Sequence, residues 1–226
     1  MSVQHPSVPR RSRAESLYRF RWAIWLGVLL IGAGIGTTLA LTRSSGKAVP
    51  QAPPPDKGFT WAAGAKRAPN FRLADENGRP VSLSRFQGHP VLVTFIDPLC
   101  RNMCPLEAKA LTSAVGSLPA AQRPAIVAVS VNRWGDGRQT LLRDASKWRL
   151  PPAWHWAIGK PAALDAAWRS YGIGVRDDKT RVGGVTIHNI SHTEATFVVD
   201  RQGYQRVLFM WPFLAEDVTT ALKRLG

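Results

Sequence analysis

Cysteine is nearly absent from this chain: Cys100 and Cys104 are the only two in 226 residues. A chain of that length can bury an ample core without covalent staples. The scarcity therefore excludes a disulfide-built scaffold and marks the pair as a candidate site. Acidic residues are also few, 15 against 30 Lys and Arg, for a formal net charge of +15. The excess is uneven. Residues 1–21 carry five Arg and one Glu, and residues 43–67 carry five basic residues and Asp56. Basic residues on both sides of an apolar span point to membrane topology. No basic helix or aromatic–basic stripe occurs, so no nucleic-acid partner is expected. There is no internal repeat, and Gly183-Gly184 lacks the context of a phosphate loop, so no nucleotide site is expected.

Charge is missing altogether from Trp22 to Thr42, "WAIWLGVLLIGAGIGTTLALT". At about 1.5 Å of rise per residue a helix here reaches across a hydrocarbon core. Trp22 and Trp25 stand where interfacial aromatics are favoured, and five arginines precede the span. These features predict a cytoplasmic tail (1–21), a single transmembrane anchor (22–42) and an extracytoplasmic or periplasmic remainder. A cleaved signal peptide is the competing reading, but Thr38-Leu39-Ala40 makes a poor small-x-small site. Residues 43–67, rich in Pro and Ala and containing Pro53-Pro54-Pro55, read as an extended linker. Within it, Trp61 is a candidate to dock on the domain that follows.

From Ala68 to Gly226 the pattern is that of a folded α/β domain. Glu76-Asn77-Gly78 between short apolar pieces predicts a hairpin. Val91–Ile96 and Ala125–Val131 are continuous β-branched or apolar runs, expected for buried central strands. Helices are expected from Cys104-Pro105 through Glu107, Leu111 and Val115, around Arg138–Trp148, over Pro161–Tyr171 and from about Leu214 to Leu225. Further strands are expected at Trp154–Ile158, Thr196–Asp200 and Gln205–Met210. Asp177-Asp178-Lys179 reads as a solvated turn, and Trp148, Trp154, Trp156 and Trp168 read as packing residues.

Cys100-x-x-x-Cys104 falls between a buried strand and a helix N-terminus. Backbone N–H groups and the positive end of the helix dipole favour thiolate over thiol there. Thiolates attack disulfides and also bind soft metals, Cu(I) and Zn among them, so the spacing alone leaves both roles open. Two sulfurs make a poor closed metal site, and a third ligand is expected elsewhere. Of five histidines, His192 is the strongest candidate, because it is expected in the loop that leads into the "TFVVD" strand; His188 is a weaker one.

"APNFRLADENGRPVSLSRFQGHPVLVTF", then C-x-x-x-C-P, then "HTEATFVVDRQG" resembles the SCO/SenC family in order and spacing. The resemblance implies a thioredoxin-like domain with an N-terminal β-hairpin extension, tethered by one N-terminal transmembrane helix. It also implies copper as the bound metal and assembly of the CuA centre of cytochrome c oxidase as the task, with a copper-accepting respiratory oxidase subunit as partner. The family's copper ligands carry over to Cys100, Cys104 and His192. The two cysteines also stand as a redox-active pair able to close a disulfide. Two departures are visible: Arg101-Asn102 stands where the family commonly has Pro-Asp, and Ser191 stands where it often has Asp.

The competing function is a thiol–disulfide oxidoreductase or redox sensor of the same fold. Such proteins normally use Cys-x-x-Cys with a proline opposite, whereas here three residues intervene and Glu194 holds the proline slot. A peroxidase is disfavoured because Asp97 stands where its threonine is expected. A purely structural disulfide would close a very small loop and stabilise little. A copper carrier whose loading depends on cysteine redox state is the expectation, a metallochaperone rather than an enzyme.

Overall fold

The computed structural model describes residues 57–225, so the expected tail, membrane span and most of the linker lie outside the described residues. No helix among the described residues is long and apolar enough to cross a membrane. Six strands form the main sheet: β1 (Phe59–Thr60), β4 (Val91–Ile96), β5 (Ala125–Ser130), β6 (Trp154–Ala157), β9 (Ala195–Val199) and β10 (Gln205–Met210). Their order is β1-β10-β9-β4-β5-β6. β4, β5 and β6 run parallel, whereas β9 pairs antiparallel with both β4 and β10. β1 falls inside the stretch read from sequence as linker, so the sheet reaches further towards the N-terminus than Ala68. Trp61 continues this edge by donating its backbone N–H to the Arg206 carbonyl at 2.9 Å.

β4 is buried along its whole length, which is why it reads as an unbroken apolar run rather than an alternating one. Successive side chains enter opposite layers. Leu92 and Ile96 face helix α1 (Met103–Gly116), helix α4 (Ala215–Lys223) and Leu141 of helix α2 (Arg138–Lys147). Val91, Val93 and Phe95 face helix α3 (Pro161–Tyr171) and the N-terminal segment from Ala68 to Leu83. That segment contains the expected hairpin, β2 (Leu73–Ala74) paired with β3 (Pro80–Val81). Asp75 closes its turn by accepting from the N–H groups of Asn77 and Arg79, both at 2.8 Å. Trp154 and Trp156 are buried as packing residues, and Trp168 donates its indole N–H to the Ser130 carbonyl at 2.9 Å.

Two sequence expectations fail between α3 and β9. Asp177-Asp178-Lys179 is not a turn but the middle of strand β7 (Val175–Val182). It pairs antiparallel with β8 (Val185–His192), and the turn between them is Gly183-Gly184, with φ of 56° and 81°. Both residues need the left-handed backbone that a two-residue hairpin turn imposes and glycine tolerates. The second failure follows from the first: His192 is the last residue of β8, not a loop residue. The hairpin is seated by His188, four residues earlier on the same face. Its Nδ1 meets the Asp177 carboxylate at 2.8 Å, and its ring lies edge-on to Trp134 with centroids 4.3 Å apart.

One polar contact crosses the core. Glu107 of α1 is fully buried, and its Oε1 accepts from Thr94 of β4 at 2.7 Å and from Thr196 of β9 at 3.0 Å. Oε2 has no hydrogen-bond partner among the described residues. Burial pushes the Glu107 carboxyl up to about 7, against the opposing pull of the two hydroxyls. The carboxyl therefore stays protonated in the folded chain at pH values where an unfolded one has ionised. Its contribution to stability is complete below the ordinary Glu range and declines as the pH rises towards 7, by about 3 kcal/mol in all. Glu107→Gln cannot ionise. Urea unfolding should show the variant gaining stability relative to the wild type between pH 4.5 and 7.5, by roughly that amount. A pH-independent difference between the two proteins would contradict the protonated buried carboxyl.

Candidate functional site

The site forms where the C-terminal end of β4 hands over to α1. Asp97 organises the connection by accepting from the N–H of Leu99 at 2.7 Å and from the Asn132 amide at 2.9 Å. The loop packs so closely on Gly135 that an added Cβ there would stand 2.9 Å from Leu99 Cγ. Asn102 caps α1 through its Oδ1, which accepts from the Met103 N–H at 2.9 Å. Asn is among the favoured N-cap residues, so the departure from an acidic residue keeps the cap while removing its charge.

Arg101 is the other half of that departure, and its guanidinium is engaged by the loop backbone and by α2. Nη1 donates to the carbonyls of Pro98 and Cys100, both at 2.9 Å, and reaches Asp144 of α2 at 3.5 Å. The Asp144 side chain is fully buried and also pairs with Arg143 at 3.3 Å. Arg101 thus ties the cysteine loop to α2.

The two cysteines sit in different environments. Cys100 is half-buried and Cys104 is 1% exposed. Cys100 Sγ accepts the Cys104 backbone N–H at 3.3 Å and, when it carries a proton, donates to Asn102 Oδ1 at 3.1 Å. A hydrogen bond from the Cys104 thiol, aided by the N–H groups that open α1, lowers the Cys100 pKa to about 5 despite partial burial. Cys104 is driven the other way. It is the donor in that same thiol contact and is buried, so it keeps its proton. Near neutrality the pair is one half-buried thiolate and one buried thiol sharing a proton.

His192 closes on this pair from the end of β8. Its Nδ1 lies 3.1 Å from the Thr193 carbonyl, which can only accept, so Nδ1 is the donor in that contact and Nε2 is the ring nitrogen left available to a metal. Cys104 Sγ, a ring nitrogen of His192 and a carboxylate oxygen of Glu194 all lie within 4.8 Å of one another. Of the residues singled out in the sequence, Cys104 and His192 therefore meet directly. Cys100 joins them through its contact with Cys104 but is not one of that closest trio. His188 is engaged by Asp177 and Trp134 and does not belong to the group.

Glu194 is the member that sequence reasoning passed over, noting it only as a non-proline. The available signal was its position two residues after the candidate histidine. Burial raises its carboxyl pKa, while His192 pulls it back down. Two soft sulfurs and an imidazole suit copper, and the closeness of Cys104 to His192 meets the first geometric requirement of a shared metal.

The asymmetry of the thiols has a direct readout. The alkylation rate of the reduced chain by iodoacetamide should rise with pH around a midpoint near 5, and the fast phase should modify Cys100 alone. Cys104→Ala removes the main stabilising donor and should raise that midpoint by about 1–2 units. A single fast-phase midpoint near 8.5, unchanged in Cys104→Ala, would contradict the shared-proton pair.

Comparison with known proteins agrees with this architecture. The chain matches SCO1/SenC over residues 61–225. No curated protein sequence gives a significant match. Among solved structures, apo Sco1 from Thermus thermophilus aligns at TM-score 0.63 and 28% identity, covering 76% of this chain and 97% of that one. Copper-bound ScoI from Bradyrhizobium japonicum aligns at TM-score 0.61 and 23% identity, covering 71% and 99%. BsSco, a member of the Sco family of cytochrome c oxidase assembly proteins in which a disulfide switch was identified, aligns at TM-score 0.54 and 20% identity, covering 70% and 92%. The last two likenesses speak for the fold alone. The family match takes in the cysteine loop, the histidine hairpin and both core layers, and on that ground the chain belongs to the SCO1/SenC family.

Proposed function

We propose that this protein is a membrane-tethered, extracytoplasmic copper chaperone that holds copper through Cys100, Cys104 and His192. Its copper is cargo, passed to a copper-accepting respiratory oxidase subunit during assembly of the CuA centre. The observation that carries this reading is the approach of the His192 ring to the Cys104 sulfur, with Cys100 beside it as a ready thiolate. A thiolate, a thiol that loses its proton on metal binding and a neutral imidazole form a soft donor set that favours Cu(I). Family membership and the copper-bound ScoI relative support the choice of metal. The arginine-rich tail and apolar span support the tether and its orientation.

The same cysteines support a redox control on loading. The Cys100 thiolate attacks an external disulfide, forms a mixed disulfide and releases one thiolate. Cys104 then passes its proton to that thiolate and attacks Cys100, which closes the Cys100–Cys104 bond and releases the second thiolate. The external disulfide gains two electrons, and the protein loses both sulfur ligands. The disulfide switch of BsSco supports this second layer. An oxidoreductase without copper is the alternative, favoured only by the low pKa of Cys100.

Copper titration of the reduced full chain against a competing chelator tests the reading. One copper per chain is expected, with affinity reduced about tenfold or more in each of Cys100→Ser, Cys104→Ser and His192→Ala. Unchanged affinity in His192→Ala would remove the histidine from the site. Rapid reduction of protein disulfides with no copper bound would favour the oxidoreductase instead.

A further inference from the structure

Within 4.8 Å of Cys104 Sγ and the His192 ring stands a carboxylate that the donor set just described does not use. Glu194 lies between the end of β8 and the start of β9, and its backbone carbonyl accepts from the Trp211 N–H at 3.0 Å. Its main chain is therefore fixed, and its half-buried side chain is carried to within 4.8 Å of both Cys104 Sγ and the His192 ring. Among the described residues no Lys or Arg forms an ion pair with it. The one cation in the cysteine motif, Arg101, is spent on Pro98, Cys100 and Asp144 instead. A half-buried carboxylate, a sulfur and a ring nitrogen gathered this closely, with no Lys or Arg paired to the carboxylate, make a set of donor atoms facing one another. Such an arrangement is stabilised by a bound cation.

We propose that Glu194 is a fourth copper ligand in this chain, an oxygen donor that strengthens the site's hold on Cu(II) relative to Cu(I). The proposal rests on the copper reading above and adds one ligand to it. The chemistry follows from donor type. Thiolates and imidazole satisfy Cu(I) on their own, whereas nitrogen and oxygen donors in a tetragonal arrangement favour Cu(II). An added carboxylate also contributes a negative charge, which stabilises the divalent ion more than the monovalent one. Loss of Glu194 therefore acts selectively on Cu(II).

The test compares the reduced full chain with Glu194→Gln, which keeps the volume and removes the charge, and with Glu194→Asp, which keeps the carboxylate. Each is loaded with Cu(II) and, separately, with Cu(I) against a competing chelator. Electron paramagnetic resonance reports the Cu(II) ligand field. Glu194→Gln should change the Cu(II) hyperfine pattern and lower Cu(II) affinity about tenfold or more, while Cu(I) affinity stays nearly the same. Glu194→Asp should recover part of the Cu(II) affinity. A Cu(II) spectrum and affinity unchanged by Glu194→Gln would overturn the fourth ligand while leaving the copper site standing. Equal loss of both oxidation states would also overturn it, because that is the mark of a merely structural residue. A wild-type chain that binds neither ion would overturn the copper reading itself.

Discussion

Thr94 and Thr196 donate to one buried oxygen of Glu107, and the geometry of the site depends on that contact. Thr94 lies on the strand that leads into the cysteine loop. Thr196 lies on the strand that the histidine hairpin feeds, and Glu107 stands one helical turn beyond Cys104. The three side chains join the two halves of the site through the middle of the core. Apolar packing holds α1 on the sheet at a cost-free range of small offsets, because the hydrophobic effect has no direction. A hydrogen-bonded carboxyl does have direction, and it sets the position of the helix relative to both strands. Its burial raises its pKa to about 7, so below that pH the contact is maintained by a neutral acid.

Above that contact, charge decides the chemistry. The opening turn of α1 and the Cys104 thiol gather hydrogen-bond donors around Cys100 and make it the thiolate of the pair. Arg101, the obvious counter-charge, is directed into the loop and α2, where it meets a buried Asp144. Asn102 keeps the helix cap without an acid's repulsion of the thiolate. The Arg101-Asn102 departure from the family pattern thus does structural work close to the cysteines.

Much of this was legible in the sequence where burial leaves a pattern. β4 and β5 showed as continuous β-branched or apolar runs, and α3 was expected over Pro161–Tyr171, as observed. Even Glu107 was visible in principle, since it shares a helical face with Leu111 and Val115, both buried. The β7–β8 hairpin was not legible. Its apolar Val185 and Ile187 lie on the exposed face, while the half-buried face carries His188, Ile190 and His192, so hydrophobicity does not mark the inward side. His192 stood out by its place ahead of the "TFVVD" strand and again by the family resemblance; its position at a strand end came only from the pairing of the hairpin. Glu194 was hidden for a different reason. A carboxylate next to a strand reads as solvated unless its spatial neighbours are known, and those neighbours come from a segment some ninety residues away.

Copper X-ray absorption on the reduced full chain loaded with one equivalent of Cu(I) tests most directly whether two sulfurs and an imidazole share one metal. Two sulfur scatterers and the multiple-scattering signature of a single imidazole are expected, and the imidazole signature should vanish in His192→Ala. A copper environment of sulfur alone, or one identical in wild type and His192→Ala, would show that the histidine hairpin and the cysteine loop do not meet on the metal.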